Sequence, residues 1–178
     1  MNFRKAQQSD IQQITEIYER IHSEEEAGRL TTGWIRGVYP TEDTALTAIQ
    51  RDDLFVVEED GVVAGSAILN NIQMDSYRDG SWELACNDEE ILVMHTLTID
   101  PVRYGAGIGK AFVGFYESYA IENGCKALRI DTNERNTRAR AMYKKCGFTE
   151  VGIVPCDFNG IPGIHLVLLE KPLIRPLR

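Results

Sequence analysis

Two stretches of this chain set chemistry-bearing residues at a fixed spacing. In the first, Gly105, Gly107 and Gly109 alternate with Ala106 and Ile108, and Lys110 follows. Glycine has no Cβ, so successive backbone N–H groups of such a turn can point into one small volume. A helix that starts there adds unsatisfied donors and the positive end of its dipole. The chemistry this suits is the holding of a pyrophosphate. Spacing excludes two familiar versions of it. Lys110 occupies the sixth place, which a dinucleotide G-x-G-x-x-G turn reserves for glycine, and Ala111 after Lys110 leaves no G-K-[ST].

In the second stretch, Asn136, Ala139, Tyr143, Gly147 and Phe148 form the pattern N-x-x-A-x-x-x-Y-x-x-x-G-F. Asn136 and Tyr143 stand about two helical turns apart and share a helix face. Gly147 is the residue type that ends a helix, and Phe148 starts the next strand. Asn136 also suits an N-cap, and Tyr143 a packing position. Three further groups can move a proton. His95 titrates near neutrality and shares strand parity with Leu97 and Ile99, which predicts that it lies on their face. Asp131 ends a strand just before Asn136, and Glu83 is placed more loosely.

The elements that position these residues follow from periodicity and punctuation. Asn2 to Lys5 reads as a first strand. Ser9 and Gln12 make a capping-box pattern that opens a helix whose apolar face is Ile11, Ile14, Ile17, Tyr18 and Ile21. Residues 28–40, rich in glycine and aromatics, read as a loop, and Glu24, Glu25 and Glu26 before it as a solvated helix end. Thr41 caps a second helix towards Arg51. Strands over 54–58 and 62–69 join through Asp60-Gly61 as a hairpin. Residues 75–90 read as a polar loop with some strand character near Trp82. A strand over 91–99 leads through the turn 101–109 into a helix carrying Phe112, Val113, Tyr116 and Tyr119. A strand over 127–131 and a helix over 136–145 follow. Strands over 148–154 and 165–169 close the chain, joined by a loop with Asn159-Gly160 and Pro162-Gly163. The tail, 171–178, holds two prolines and is expected to fray at its end. This order predicts one α/β domain over residues 1–178 around a mixed sheet.

Composition narrows the function classes. A chain of 178 residues with 43% hydrophobic residues suits one domain with a real core. Its net charge of −8 repels phosphate backbones, which argues against nucleic acid, and attracts a protonated amine. No apolar run is long enough for a bilayer, and the N-terminus has no apolar leader segment, so a cytoplasmic protein without a membrane partner is expected. Cys86, Cys125, Cys146 and Cys156 show no C-x-x-C spacing and no zinc-type pairing with histidine. Reduced thiols and no metal are the expectation.

The glycine turn resembles the pyrophosphate turn of the GNAT superfamily of N-acetyltransferases, [QR]-x-x-G-x-[GA]. Gly107 and Gly109 fill its last two places. Tyr104 stands where the superfamily has Gln or Arg, and Arg103 lies one place early. The second stretch resembles the second GNAT signature at every fixed place. The resemblance covers nearly the whole chain and is strongest over 93–148. It implies a central mixed, mostly antiparallel sheet flanked by helices, with strands that splay at the CoA site. It implies acetyl-CoA as co-substrate and attack by the amine within a ternary complex. It assigns the backbone of Leu97, Thr98 and Ile99 to the pantetheine arm, and Gly105, Ala106, Gly107, Ile108, Gly109 and Lys110 to the pyrophosphate. Asn136 goes to the pantetheine or the acid site, and Tyr143 to the CoA sulfur as acid.

The segment from His95 to Ile99 is similar to the strand of arylalkylamine N-acetyltransferases in which a histidine stands at the matching place. That makes His95 the candidate base, with Asp131, Glu83 or a water relay as alternatives. Trp34 and Tyr39 are expected to wall the acceptor pocket or to pack its loop, with residues 156–163 closing the same end. The 28–40 loop and His95 together resemble bacterial GNAT proteins whose acceptors are mostly unassigned. The expected partner is a small-molecule amine, and the expected assembly a monomer or homodimer. The competing functions are a protein N-terminal acetyltransferase and a non-catalytic acyl-CoA sensor.

Overall fold

A computed structural model describes residues 1–173 of the chain. The elements run β1 (Asn2–Lys5), α1 (Ile11–Glu26), α2 (Glu42–Gln50), β2 (Leu54–Glu59), β3 (Val62–Asn70), β4 (Ile91–Ile99), α3 (Ile108–Glu122), β5 (Ala127–Asn133), α4 (Thr137–Lys145), β6 (Thr149–Phe158) and β7 (Ile161–Pro172). This is the order expected from the sequence. The seven strands form one sheet in the order β1-β2-β3-β4-β5-β7-β6. Only β4 and β5 pair in parallel; every other neighbouring pair is antiparallel.

Helices cover the two faces unequally. The apolar stripe Ile11, Ile14, Ile17, Tyr18 and Ile21 is buried against Ala45 and Ala48 of α2 and against β2 and β3. On the opposite face, α3 buries Phe112, Val113 and Tyr116 against β4, β5 and β7, and α4 adds Tyr143. The β4–β7 end of the first face carries no helix. Residues 71–90 cover it instead, seating Tyr77, Trp82 and Leu84 over Ile91, Val93 and Leu168. A buried ion pair anchors them. Arg129 Nε donates to Glu170 Oε1 at 3.1 Å, the guanidinium lies 4.0 Å from the Trp82 ring centre, and Glu170 Oε2 accepts the N–H groups of Glu83 and Leu84. The strand character expected near Trp82 is absent: this stretch makes 3-10 turns and hangs on side chains of the sheet.

Four other local expectations are corrected. Ser9 does not cap α1. A 3-10 turn over Gln8–Asp10 precedes the helix, with Ser9 inside it, and the Asp10 carboxylate, gripped by Arg4, accepts the Gln7 N–H at 2.7 Å. The glutamates at the end of α1 are not merely solvated. Glu25 accepts the N–H groups of Thr32 and Gly33, Glu24 binds Arg29, and Glu26 binds Arg36, so the three together pin the 28–40 loop. The closing strands are much longer than 148–154 and 165–169. Asn159 and Gly160, both at positive φ, make a two-residue turn between Phe158 and Ile161, and Pro162-Gly163 lies inside β7. A turn of this handedness matches strand twist and needs no longer loop. Lys171 and Pro172 of the tail belong to β7, and its end, which is expected to fray, lies outside the described residues.

Candidate active site

The parallel pairing of β4 and β5 runs from Ile91 opposite Ala127 to Met94 opposite Ile130 and then stops. His95 and Asp131 would have been the next pair. From there β4 stays on β3 and β5 stays on β7. The strands part as the GNAT resemblance implies, and a cleft of about 980 Å³ opens between them.

A bulge shapes β4 at the same point. Thr96 takes φ +52, and the register against β3 slips between Ser66 and Ile68. An extra residue in a strand reverses the alternation of side chains beyond it. Leu97 and Ile99 therefore pack with Met94 and Leu92 on the α3 face. His95 stays on the face of Val93, with Nε2 3.1 Å from Asn70 Oδ1. The expectation that His95 shares a face with Leu97 and Ile99 is wrong for this reason. Thr98 also turns away: it is buried, 2.8 Å from Ser66 Oγ, and its side chain does not line the cleft.

At one end of the cleft the glycine turn leads into α3. Gly105 and Gly107 take φ +91 and +78, and Gly107 is the N-cap. A Cβ at either would meet nothing within 4 Å, so the space over both is open. The first internal bond of the helix is donated by Ala111 to the Gly107 carbonyl, which leaves the N–H groups of Ile108, Gly109 and Lys110 free to bind an anion. Gly107, Ile108, Gly109 and Lys110 line the cleft with Gly105; Ala106 does not. Gly109 is confined for a second reason, since a Cβ there would sit 3.0 Å from Met142 Sδ of α4. At Tyr104, where the superfamily places Gln or Arg, the Arg138 guanidinium lies 4.5 Å from the ring centre. A cation from α4 thus stands beside the turn. Arg138 was missed because its position in the second motif is unconstrained.

Helix α4 forms the opposite wall. Asn136 Oδ1 accepts the Ala139 N–H at 3.2 Å, so Asn136 is its N-cap and also lines the cleft. Gly147, at φ +91, ends the helix: its N–H bonds the Lys144 carbonyl, and Phe148 N–H bonds the Tyr143 carbonyl. This C-terminal pattern with a ring contact between Tyr143 and Phe148 fixes the last turn. The Tyr143 hydroxyl makes no hydrogen bond among the described residues. Burial, reinforced by the charge of Asp131, raises its pKa well above the ordinary phenol value.

At the splay, burial raises the Asp131 pKa to about 6, opposed by the Tyr77 hydroxyl, which donates to Oδ2 at 2.7 Å. Tyr77 was not foreseen, because it approaches from the 71–90 segment. His95 moves the other way: burial lowers its pKa to about 4, opposed by an interaction of the ring with the Ile72 backbone as acceptor, which raises it. It is a neutral imidazole at pH 7. Asn70 donates its amide N–H to Asp53 at 2.8 Å and so offers its oxygen to His95, which puts the imidazole proton on Nε2. Glu83 is exposed and lies outside the cleft.

The far end is aromatic. Trp34, Tyr39 and Phe158 meet edge to face, with ring centres 6.0 Å and 5.3 Å apart in sequence, and all three line the cleft. The Tyr39 hydroxyl bonds Thr96 Oγ1, which ties the 28–40 loop to the bulge. Trp34 and Tyr39 therefore both wall the pocket and pack their loop. Among the described residues no group of three His, Cys, Asp or Glu can hold a metal, and no helix is long and apolar enough to cross a membrane.

A glycine turn at a helix start, a split parallel pair and a helix-borne phenol share one cleft, an arrangement suited to an acyl-CoA-dependent transferase. The chain belongs to the acetyltransferase (GNAT) family, whose model matches residues 11–148; the co-substrate of that class is acetyl-CoA. Streptothricin acetyltransferase of Escherichia coli is 27% identical over 96 residues, 54% of this chain and 52% of its own length, so the match spans about half of that relative. A GNAT-family acetyltransferase of Streptococcus agalactiae has the same fold, with a TM-score of 0.78 and 23% identity over 98% of this chain and 96% of its own. The fold is shared too by yncA of Salmonella typhimurium, solved with its cofactor acetyl-CoA, with a TM-score of 0.70 and 18% identity over 100% of this chain and 96% of its own.

Proposed function

We propose that the protein transfers the acetyl group of acetyl-CoA to a primary amine of a small molecule, by direct attack within a ternary complex. The observation that carries this is the continuity of the cleft: phosphate donors, splayed β4, Tyr143, Asp131 and an aromatic end wall all face one space. Asp131 is ionised at pH 7 and takes a proton from the acceptor's ammonium, so that the amine attacks as a free base. As the new C–N bond forms, backbone N–H groups of the unpaired part of β4 receive the developing oxyanion. The C–S bond then breaks, and Tyr143, kept protonated by its raised pKa, gives its proton to the departing sulfur; the surplus proton on the new amide nitrogen returns through water to the tyrosinate, which restores the phenol. His95 is too weak a base for the first step and serves to hold the wall of the acceptor site. Much of the acceleration comes from holding both reactants in one place.

The name of the streptothricin relative supports a small-molecule acceptor. So does the 28–40 loop, pinned by the glutamates of α1 and lining the cleft, which favours a confined site over an open groove. Retention of an unbonded Tyr143 hydroxyl argues against a catalytically idle sensor. The test is a panel of amines and N-terminal peptides, followed by release of the CoA thiol from acetyl-CoA. Acetylation of small amines with peptides inert is the expected result; peptides as the better acceptors would make the protein an N-terminal acetyltransferase, and release from no acceptor would leave the sensor.

A further inference from the structure

We propose that the acceptor carries a carboxylate as well as its amine, and that Arg51 is the group that receives the carboxylate. This rests on the acetyltransferase reading above and names the substrate class for the same cleft.

Arg51 closes α2, and Thr44, Thr47 and Arg51 fall on one face of that helix, all three lining the cleft. The guanidinium is held by one edge only. Its Nε and Nη2 donate to Asp53 at 2.8 and 3.2 Å. Nη1 has no acceptor among the described residues. An arginine offers five N–H donors, so three remain for a ligand, in the end-on geometry that a carboxylate accepts. Asp53 is itself buried and also takes the Asn70 amide, so Arg51 is orientated before anything binds. A pre-set guanidinium loses less freedom on binding than a free one.

The charges along the cleft are ordered. Tyr39, which lines the same cleft, is within reach of both charges: burial raises the pKa of its hydroxyl most, Asp131 raises it further and Arg51 lowers it. Asp131 faces the reaction centre, and Arg51 the far wall. A zwitterion with its ammonium at Asp131 and its carboxylate at Arg51 matches this order, and the aromatic wall between them suits an apolar side chain. The other charged groups on the cleft fit the same reading. Asp43 is exposed at the other end of α2, about 12 Å from Arg51 at the rise of a helix. Arg103, Lys110 and Arg138 lie at the phosphate end. His95, beside Asp53, is neutral. A polyamine would bring a second cation against Arg51.

The test compares each of a set of amino acids with its carboxamide and its decarboxylated amine as acceptors, following CoA release. The readout is the ratio of kcat/KM for acid over amide. Wild type is expected to favour the acid by at least about tenfold, one charge-assisted pair's worth. Arg51→Gln should bring the ratio close to one, and Arg51→Lys should keep part of it. Thr47→Glu, which keeps Arg51 and Asp53 in place, should lower the ratio several-fold by setting a carboxylate four residues before Arg51, where it competes for the free edge of the guanidinium and repels an acid. That variant keeps the test open if Arg51→Gln folds poorly. A wild-type ratio at or below one, a preference for di- or polyamines without a carboxylate, or an unchanged ratio in both variants would overturn the proposal. If no amine in the panel is acetylated, the transferase reading fails instead. The subsite is then read by thermal shift with CoA present, N-acetyl amino acids against their amides. A larger shift for the acids, lost in Arg51→Gln, sustains it, and equal shifts overturn it.

Discussion

The two ends of the cleft are built in opposite ways. The end proposed for the phosphates is local: a glycine turn and the helix it starts, with α4 alongside, lie within 105–148. Its ligand-facing groups are mostly backbone, and few long-range contacts are needed to aim them. The end proposed for the acceptor is assembled from six separate segments: α2, the 28–40 loop, the bulge of β4, the tip of β5, the end of β6 and the start of the 71–90 segment. Its polar groups are side chains held by partners far away in sequence. Tyr77 and Asp131 are 54 residues apart, and Tyr39 and Thr96 are 57 apart. Backbone donors serve any acyl-CoA, whereas side-chain constellations are where a family of one fold can change acceptors.

The largest effect is expected where the backbone carries the site. Gly107→Val should weaken acetyl-CoA binding by roughly a hundredfold or more and abolish the thermal shift that it causes, because the branched side chain fills the phosphate space and φ +78 suits glycine. The apo-protein should still fold at a cost of about 1–2 kcal/mol, since a Cβ there touches no protein atom within 4 Å. A retained shift would show that the turn is not the anchor.

Asp131→Asn should lower kcat/KM by roughly a hundredfold, the scale for losing a general base. In wild type, kcat/KM should rise with pH through about 6 as Asp131 ionises, and the variant should lack that limb. Tyr77→Phe should move the limb upward, because the lost hydrogen bond had favoured the carboxylate. Stability carries the opposite sign. The folded pKa lies above the reference value of 3.8, so the contribution of Asp131 is full below about pH 4 and is lost as pH rises through about 6. The melting temperature of wild type relative to Asp131→Asn should therefore fall between pH 4 and 8. A limb that tracks the acceptor's own pKa would transfer the proton step to another group.

Tyr143→Phe should lower kcat by about tenfold or more while leaving acetyl-CoA affinity nearly unchanged, since the hydroxyl acts on the sulfur mainly in the transition state. Equal turnover would reduce Tyr143 to a packing residue of α4. The smallest effect is expected at His95. With its pKa near 4, His95→Gln should change kcat/KM by less than about threefold near pH 7 and leave the limb near pH 6 in place. A hundredfold loss would restore histidine as the base and shift the chemistry one strand over.

The sequence by itself determined the element order, the buried stripe of α1, the turn at Gly105 to Lys110, and the helix that runs from the Asn136 cap to Gly147. Each depends on residues within a few positions of one another, where periodicity, missing Cβ atoms and capping leave a direct trace. Tertiary structure decided the rest of the site. One residue at positive φ, Thr96, reversed the alternation of β4 and sent His95 and Leu97 to opposite faces, which no count along the strand can reveal. Burial, a property of the whole packed chain, moved His95 and Asp131 in opposite directions, which is the ground for proposing the carboxylate as base in place of the histidine. Arg51, Asp53 and Asn70 carry no motif, and only the pairing of α2 with β2 and β3 brings them to the cleft. The glutamates at the end of α1 look solvated until the loop folds back on them, because a carboxylate's partner is set by what the chain packs beside it.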